Sequence, residues 1–209
     1  MEWHAKIDKL IFINLDYRTD RYNELLQQLH NISFPQEKIM RFSALQGSSG
    51  PVGCCLSHAA VLKKAHEMNL NNVLILEDDC NFIEDVDNIN KTMNYFFNTI
   101  APLGWDAFLF HCGNINIDRI DDIMNRCLSS SNAVAYLVTN KIMLDLANLI
   151  QEGAELLHQT GAHWLYQNDV VWDKQMSVSQ WYSPNESLCY QRPSYSDLSE
   201  EVVDHRYPV

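Results

Sequence analysis

One run of residues, 73–80 (VLILEDDC), constrains the fold more than any other, because four apolar residues lead directly into three carboxylates. Its length and β-branched content are typical of a strand that is buried on both faces of a sheet. Glu77, Asp78 and Asp79 then lie at the carboxyl end of that strand, where open parallel sheets bind their ligands. The run therefore predicts an α/β fold with an acidic site at one edge of its sheet.

The three adjacent acids indicate what this site could hold. Carboxylates that are packed together repel one another, and Mg²⁺ or Mn²⁺ relieves that repulsion while also binding the phosphates of a substrate. The acids therefore predict a divalent metal site that holds a nucleotide diphosphate. The alternative from the run alone is a solvated acidic turn after a core strand.

Composition limits the size, partners and location that we expect. The 209 residues, 46% of them hydrophobic, suit one domain over residues 1–209, or two small lobes that share a sheet. A net charge of −12 without a basic stripe argues against nucleic acid as a partner. No apolar run could form a transmembrane segment, and the N-terminal MEWHAKIDK lacks the apolar core of a signal peptide, so we expect a cytoplasmic protein. The six cysteines include no C-x-x-C pair, so a structural zinc site is not expected.

The first half of the chain alternates strand and helix patterns. Strands are predicted at residues 10–15, 40–45 and 73–76. The first intervening helix has Thr19 or Asp20 as its predicted N-cap, and the second is predicted over residues 54–68, after a flexible glycine-rich loop. The order β-α-β-α-β predicts a Rossmann-like half.

The second half is less regular, and residues 116–128 are only weakly patterned. Helices are predicted at 86–100, at 139–151 with Gly153 after the end, and more loosely at 156–176. Strands are predicted at 105–110, 133–138, 178–182 and 188–190. No linker separates independent domains, so we expect one Rossmann-like mixed sheet with helices on both faces.

Several segments, spread over most of the chain, together resemble one enzyme family. They are IFINLDYRTDR, FSALQG, VGCCLSHAAVLKKA, LILEDDC, WDAFLF, AYLVT, NDVVWD and PSYSDL. The most specific feature is GCCLSH followed about twenty residues later by LILEDD. The sequence thereby resembles glycosyltransferase family 25, the group of lipopolysaccharide and collagen β-galactosyltransferases. Ser131 and Asn132 stand where the family has Gly-Thr.

The resemblance implies a GT-A-type fold, with a nucleotide-sugar-binding half over about residues 1–110 and an acceptor half over about 111–209. It implies transfer of a hexose, galactose or glucose, from a UDP-sugar to a hydroxyl of a glycan or a hydroxylysine-type protein. Mn²⁺ or Mg²⁺ would be bound directly by Asp79. Glu77 takes the first place of a Glu-x-Asp version of the family's metal motif and reaches the ribose or a metal-bound water, and Asp78 could serve either role.

Other residues are candidates for binding the donor. Asn14 ends the first strand, where its amide could bond uracil or ribose, and Arg18 and Arg21 offer forked donors to a diphosphate. Ser57 and His58 are predicted in the first turn of a helix, which is a ready anion site. Three further candidates follow the predicted strand 105–110, at the same edge of the sheet as the acids, and could shape the sugar pocket. They are His111, Gly113 and Asn114. These residues could equally be turn caps, surface charges or core side chains.

An inverting reaction also needs a base outside the metal cluster, to take the proton of the acceptor hydroxyl. Asp169, in the segment NDVVWD, aligns with the family's acidic position and is the predicted base, with Asp173 as the second candidate. A structural helix cap is the alternative role for Asp169. Two other functional classes stay open: a metal-dependent phosphohydrolase or nucleotidyltransferase, and a non-catalytic UDP-sugar-binding lobe of a larger protein.

Overall fold

The computed structural model describes residues 2–111, 113–196 and 201–203. Its strands are β1 (Lys9–Asn14), β2 (Ile39–Ser43), β3 (Asn72–Glu77), β4 (Cys80–Phe82), β5 (Ala107–Leu109), β6 (Asn114–Arg119), β7 (Met124–Ser130), β8 (Ala135–Thr139), β9 (Trp181–Pro184), β10 (Cys189–Gln191), β11 (Ser194–Ser196) and β12 (Glu201–Val203). Its helices are α1 (Thr19–Asn31), α2 (Gly50–Glu67), α3 (Val86–Tyr95), α4 (Asn140–Thr160), α5 (His163–Tyr166), α6 (Asn168–Val171) and α7 (Asp173–Met176).

An eight-stranded mixed sheet in the order β2-β1-β3-β8-β5-β9-β7-β6 forms the centre of the structure. β1 pairs in parallel with both β2 and β3, which confirms the predicted Rossmann-like half. β8 then pairs antiparallel with β3 and β5, so the sheet becomes mixed where the second half begins. A separate antiparallel pair, β4 with β10, lies directly after the acidic run and brings the C-terminal part of the chain to it.

Helices cover both faces of the sheet, as the sequence predicts. Alternate residues of β1 point to opposite faces, because side chains alternate along a strand. Leu10 and Phe12 pack in one apolar core with Leu25 of α1. Ile11 packs in the other core with Leu62 of α2, and α4 belongs to the same layer. β3 is buried on both faces in the same way, which is why its sequence is an unbroken apolar run.

Glycines explain two differences from the predicted helices. α2 begins at Gly50 rather than at residue 54, with Pro51 in its first turn, where proline is tolerated. α4 continues past Gly153 to Thr160 and ends at Gly161, which has a φ of +70°. A side chain at Gly153 would place its Cβ 2.9 Å from the carbonyl oxygen of Tyr166. Gly153 is therefore a site of close packing inside the helix, and the prediction that it follows the helix end is wrong.

The remaining differences are local. α1 is preceded by Arg18, so neither Thr19 nor Asp20 is its N-cap. The weakly patterned residues 116–128 fall within the hairpin β6–β7, and residues 156–176 are divided among the end of α4 and three short helices. No helix of the described part of the chain has the length and apolar character that crossing a membrane requires.

Candidate active site

A cleft of about 330 Å³ opens where β1 and β3 end. Because the two strands are parallel neighbours, Asn14 and Glu77 at their carboxyl ends reach the same edge of the sheet. The cleft is lined by the end of β1 and the turn after it, by α1, the loop after β2, α2 and the acidic run, and by the end of β10 with the residue after it. The predicted site residues among its lining are Asn14, Arg21, Ser57, His58, Glu77, Asp78 and Asp79.

Asp78 is fixed by groups from the first β-α unit. The amide nitrogen of Asn14 donates to Asp78 at 2.8 Å, and Arg21 donates to its other oxygen at 2.9 Å. Asn14 is itself held by Arg41, whose Nε donates to the amide oxygen at 2.8 Å. Burial raises the pKa of Asp78, and these two donors only partly oppose it. Asn14 therefore positions an acid in this structure.

Arg21 already supplies one cation to the acidic cluster. Its guanidinium lies 2.9 Å from Asp78 and 3.3 Å from Asp79, on carboxylates that are about one-tenth exposed. The repulsion from which the sequence predicts a metal ion is thus partly relieved by a side chain from α1.

Asp79 is the carboxylate that best fits a metal ligand. One of its oxygens accepts from Arg21 and from Gln191, while Oδ1 is buried and accepts no hydrogen bond within the described residues. Burial, together with the charge of Glu77, raises the pKa of Asp79 to about 7. A buried oxygen without a donor is costly unless a cation occupies it, and Mg²⁺ and Mn²⁺ prefer carboxylate oxygen. The position of Asp79 therefore fits the cation that the family resemblance implies.

Glu77 is held by α2. Its Oε1 lies 3.2 Å from Nε2 of His58 and 3.6 Å from the thiol of Cys54, and the other ring nitrogen of His58 lies 3.0 Å from the hydroxyl of Tyr136. Burial opposes ionisation, but the hydrogen bond and charge of His58 lower the pKa of Glu77 overall. The environments of Glu77 and Asp79 thus push their pKa values apart and favour an ionised Glu77.

Ser57 and His58 lie in the interior of α2, so the prediction that they occupy its first turn is wrong. The Ser57 hydroxyl donates to the carbonyl of Gly53 at 2.7 Å and accepts from the backbone nitrogen of Leu45 at 2.8 Å. It therefore fastens the loop after β2 to the helix. The loop can approach this closely because a Cβ on Gly53 would lie only 2.8 Å from the carbonyl oxygen of Leu45.

A second cavity of about 290 Å³ contains Asp169. Cys54, Glu77 and Gln191 line both cavities, so Glu77 stands between Asp169 and the larger cleft. Asp169 accepts from the backbone nitrogen of Asn132 at 2.8 Å, and burial raises the pKa of its carboxyl group.

Asn132 explains how the chain tolerates its departure from the family's Gly-Thr. It adopts a φ of +77°, and its side-chain oxygen accepts from the backbone nitrogen of Val134 at 2.9 Å. Asparagine is one of the few residues that adopts this left-handed conformation readily. The turn that presents a donor to Asp169 therefore forms without glycine.

Several predicted residues lie outside both cavity linings. Asp173 accepts from the hydroxyl of Ser129 at 2.6 Å, which ties α7 to β7. Arg18 pairs with Asp20 at 2.9 Å. Gly113 packs closely against Ser131, because a Cβ there would be 2.4 Å from the carbonyl oxygen of Ser131. His111 lies 3.1 Å from the carbonyl oxygen of Cys189, and the side chain of Asn114 is outside the described part of the chain.

The structure adds residues that the sequence pattern did not single out. Gln191 donates to Asp79 at 3.2 Å, and the backbone nitrogen of Arg192 donates to the Asp79 carbonyl at 2.8 Å. The Arg192 side chain reaches Glu24 of α1 at 2.7 Å. These contacts hold the end of β10 and Arg192 at the cleft. In the sequence, these two residues were marked only by their position directly before the family-like segment PSYSDL.

Comparison with known proteins gives a family and a fold. The sequence matches the profile of Glycosyltransferase family 25 (LPS biosynthesis protein) over residues 22–172, which is more than half of the chain. No curated protein matches the sequence significantly.

Solved structures are similar in fold at low identity. UDP-glucose pyrophosphorylase complexed with UDP-glucose aligns with a TM-score of 0.51 and 8% identity, over 88% of this chain and 93% of that one. A glycosyltransferase involved in the glycosylation of the major capsid of PBCV-1 aligns with a TM-score of 0.47 and 9% identity, over 84% of this chain and 92% of that one. The glycosyltransferase GlyE of Streptococcus pneumoniae TIGR4 aligns with a TM-score of 0.48 and 13% identity, over 85% of this chain and 45% of that one.

Proposed function

Because the chain belongs to glycosyltransferase family 25, we propose that it is an inverting hexosyltransferase that uses a UDP-hexose and a divalent metal ion. The acceptor is a hydroxyl of a glycan or of a hydroxylysine-type protein. The observation that carries the proposal is a buried oxygen of Asp79 that has no hydrogen-bond partner among the described residues and lies in a cleft at the carboxyl end of β3. A cleft of about 330 Å³ falls within the usual range of small-ligand sites.

The diphosphate of the donor lies over the acidic edge of the sheet in this proposal. Asp79, with Glu77 beside it, would hold Mn²⁺ or Mg²⁺, and the bound ion would neutralise charge on the departing UDP. Arg21 lies within reach of the same region, and its forked donors suit phosphate oxygens. Asn14 keeps Asp78 in place, so the acid can orient Arg21 or accept a ribose hydroxyl.

The acceptor hydroxyl occupies the second cavity, beside Asp169. Inversion requires a base on the face of the sugar opposite the leaving group. Asp169 lines the second cavity and Asp79 the larger cleft, and Glu77 lines both. The raised pKa of Asp169, caused by burial, suits a carboxylate that must take up a proton during the reaction.

The direct test is a release assay with a panel of UDP-sugars and Mn²⁺, first without an acceptor. We expect slow hydrolysis of one UDP-hexose, with UDP and free hexose as products. The same UDP-sugars without Mn²⁺, and the same UDP-sugars with the Asp79→Asn protein, serve as controls. Release of sugar phosphate or pyrophosphate would instead identify a phosphohydrolase or nucleotidyltransferase. Failure to bind Mn²⁺–UDP by calorimetry would favour a non-catalytic lobe.

The two arginines of the first β-α unit give a matched comparison. Arg21→Gln is expected to raise the KM for the UDP-sugar by about 10- to 100-fold, since a hydrogen bond to a charged group contributes about 1.5–3 kcal/mol. Arg18→Gln is expected to change it little, because Arg18 pairs with Asp20 and does not line the cleft. Steady-state kinetics with varied donor would show the contrast. Equal effects of the two variants would contradict the assignment of Arg21 to the diphosphate.

A further inference from the structure

We propose that Cys54, His58 and Glu77 form a second cation site, which takes a transition metal of the Zn²⁺ type and shares only Glu77 with the proposed metal site at Asp79. Among the described residues, these three side chains bring one sulfur, one nitrogen and one oxygen atom within 4.8 Å of one another. Neither the family's acidic motif nor the expected metal chemistry of the donor uses the thiol of Cys54.

The distances between the donor atoms match those of a tetrahedral zinc site. Zn–S bonds of about 2.3 Å, Zn–N bonds of about 2.05 Å and Zn–O bonds of about 2.1 Å at tetrahedral angles place S and O about 3.6 Å apart and N and O about 3.4 Å apart. In the structure, Sγ of Cys54 lies 3.6 Å from Oε1 of Glu77, and Nε2 of His58 lies 3.2 Å from the same oxygen. Two of the three donor separations thus match a zinc site, and the third, between Cys54 and His58, is within 4.8 Å.

The backbone explains why two of these ligands face the same point. Cys54 and His58 are four residues apart on α2, so they project from one face of the helix. Helix-borne zinc ligands four residues apart occur in the same way in the H-E-x-x-H motif. Glu77 approaches this face from the end of β3, which the sheet holds rigidly.

The surroundings of the cluster are also those of a metal site. A zinc-bound histidine usually donates its other ring N–H to a fixed acceptor, which orients the ring. Nδ1 of His58 lies 3.0 Å from the Tyr136 hydroxyl, and both side chains are buried in the core layer between the sheet and α2. With Nδ1 protonated, the ring donates to Tyr136 and presents the lone pair of Nε2 to the ion.

The fourth coordination position faces the cleft. Cys54, His58 and Glu77 all line the larger cleft, and Cys54 and Glu77 also line the second cavity. Three protein ligands with an open position are the arrangement of zinc sites that exchange a water or another ligand. The ligand set selects the ion, because thiolate and imidazole favour Zn²⁺, whereas Mg²⁺ and Mn²⁺ prefer oxygen.

Zinc at this site would inhibit transfer. It would engage Glu77, which the proposed function places beside the donor's metal, and would lie against Cys54 and Glu77, which line both cavities. This consequence rests on the proposed function, whereas the binding of zinc itself does not.

Cobalt spectroscopy tests the site directly, on the full-length reduced protein without any UDP-sugar. Co²⁺ replaces zinc and gives a thiolate-to-cobalt charge-transfer absorption only when a cysteine is a ligand. We expect that absorption in the wild-type protein, its loss on adding one equivalent of Zn²⁺, and its persistence in excess Mg²⁺. Absence of the absorption in the wild-type protein would overturn the proposal, whatever the variants show.

Adjacent cysteines supply a matched control. Cys54→Ala should weaken Co²⁺ binding by at least about 100-fold, since loss of an outer partner alone costs 10- to 100-fold. Cys55→Ala should leave the absorption in place, because the Cys55 thiol is buried toward the carbonyl of Tyr166. An absorption that survives in Cys54→Ala would assign the metal to another cysteine and refute the site. If zinc does not bind but UDP release depends on Mn²⁺, the proposed function stands and the zinc site is refuted. If zinc binds but no Mn²⁺-dependent UDP release is seen, the zinc site stands and the proposed function is refuted.

Discussion

Asp79→Asn is expected to abolish both Mn²⁺-dependent UDP binding and hexose transfer while leaving the fold intact. The substitution keeps an oxygen that can accept from Arg21 or Gln191, but it removes the negative charge that a divalent ion needs. The fold should tolerate the change, because burial already disfavours the ionised form and raises the pKa of Asp79 to about 7. Calorimetry of UDP binding with and without Mn²⁺, together with thermal unfolding, measures both effects.

Glu77→Gln serves as the comparison for this variant. Its effect should be milder if Glu77 contacts a ribose hydroxyl or a metal-bound water rather than the ion. UDP binding to the Asp79→Asn protein with an unchanged requirement for Mn²⁺ would remove Asp79 from the metal site. A large loss of thermal stability would show that the carboxylate is mainly structural.

Asp169→Asn is expected to lower the turnover number by about two to four orders of magnitude, the range for the loss of a general base. UDP–Mn²⁺ affinity should stay nearly unchanged, since Asp169 lines the second cavity and not the donor cleft. The amide oxygen of asparagine can still accept from the backbone nitrogen of Asn132, so the local structure should persist. Rates measured at saturating donor and acceptor, with calorimetry of UDP binding, check both parts.

Asp173→Asn is the matched control for the base. Asp173 accepts from Ser129 and from the backbone of Ser130, so this variant should lose about 1 kcal/mol of stability and little turnover.

A base must be deprotonated to act, and burial raises the pKa of Asp169. As the pH is lowered, the wild-type rate should therefore begin to fall at a higher pH than it would with a base that has the pKa of an ordinary aspartate. Near-normal turnover of Asp169→Asn would exclude it as the base, and a parallel loss of UDP affinity would move it to the donor site.

Local pattern in the sequence determined the first half of the fold and the place of the acids. Apolar runs and helical spacing depend on near neighbours in the chain, and β1, α1, β2, α2 and β3 all follow in the predicted order. The sequence also put Asn14 at the end of the first strand as a candidate for binding the donor, and parallel strands end at the same edge of a sheet. The family resemblance rested on segments spread over most of the chain, and the family match confirms it.

Only the tertiary structure decided how the site is arranged, because its decisive contacts join residues that are distant in the chain. Arg21 reaches Asp78 across 57 positions and Gln191 reaches Asp79 across 112. Cys54 and His58 meet Glu77 because α2 and β3 pack in the same apolar core, 19 to 23 positions apart in the chain. Gly153 was misread for the same reason: close packing against the carbonyl of Tyr166 requires the glycine, and no neighbouring residue in the sequence reveals that contact.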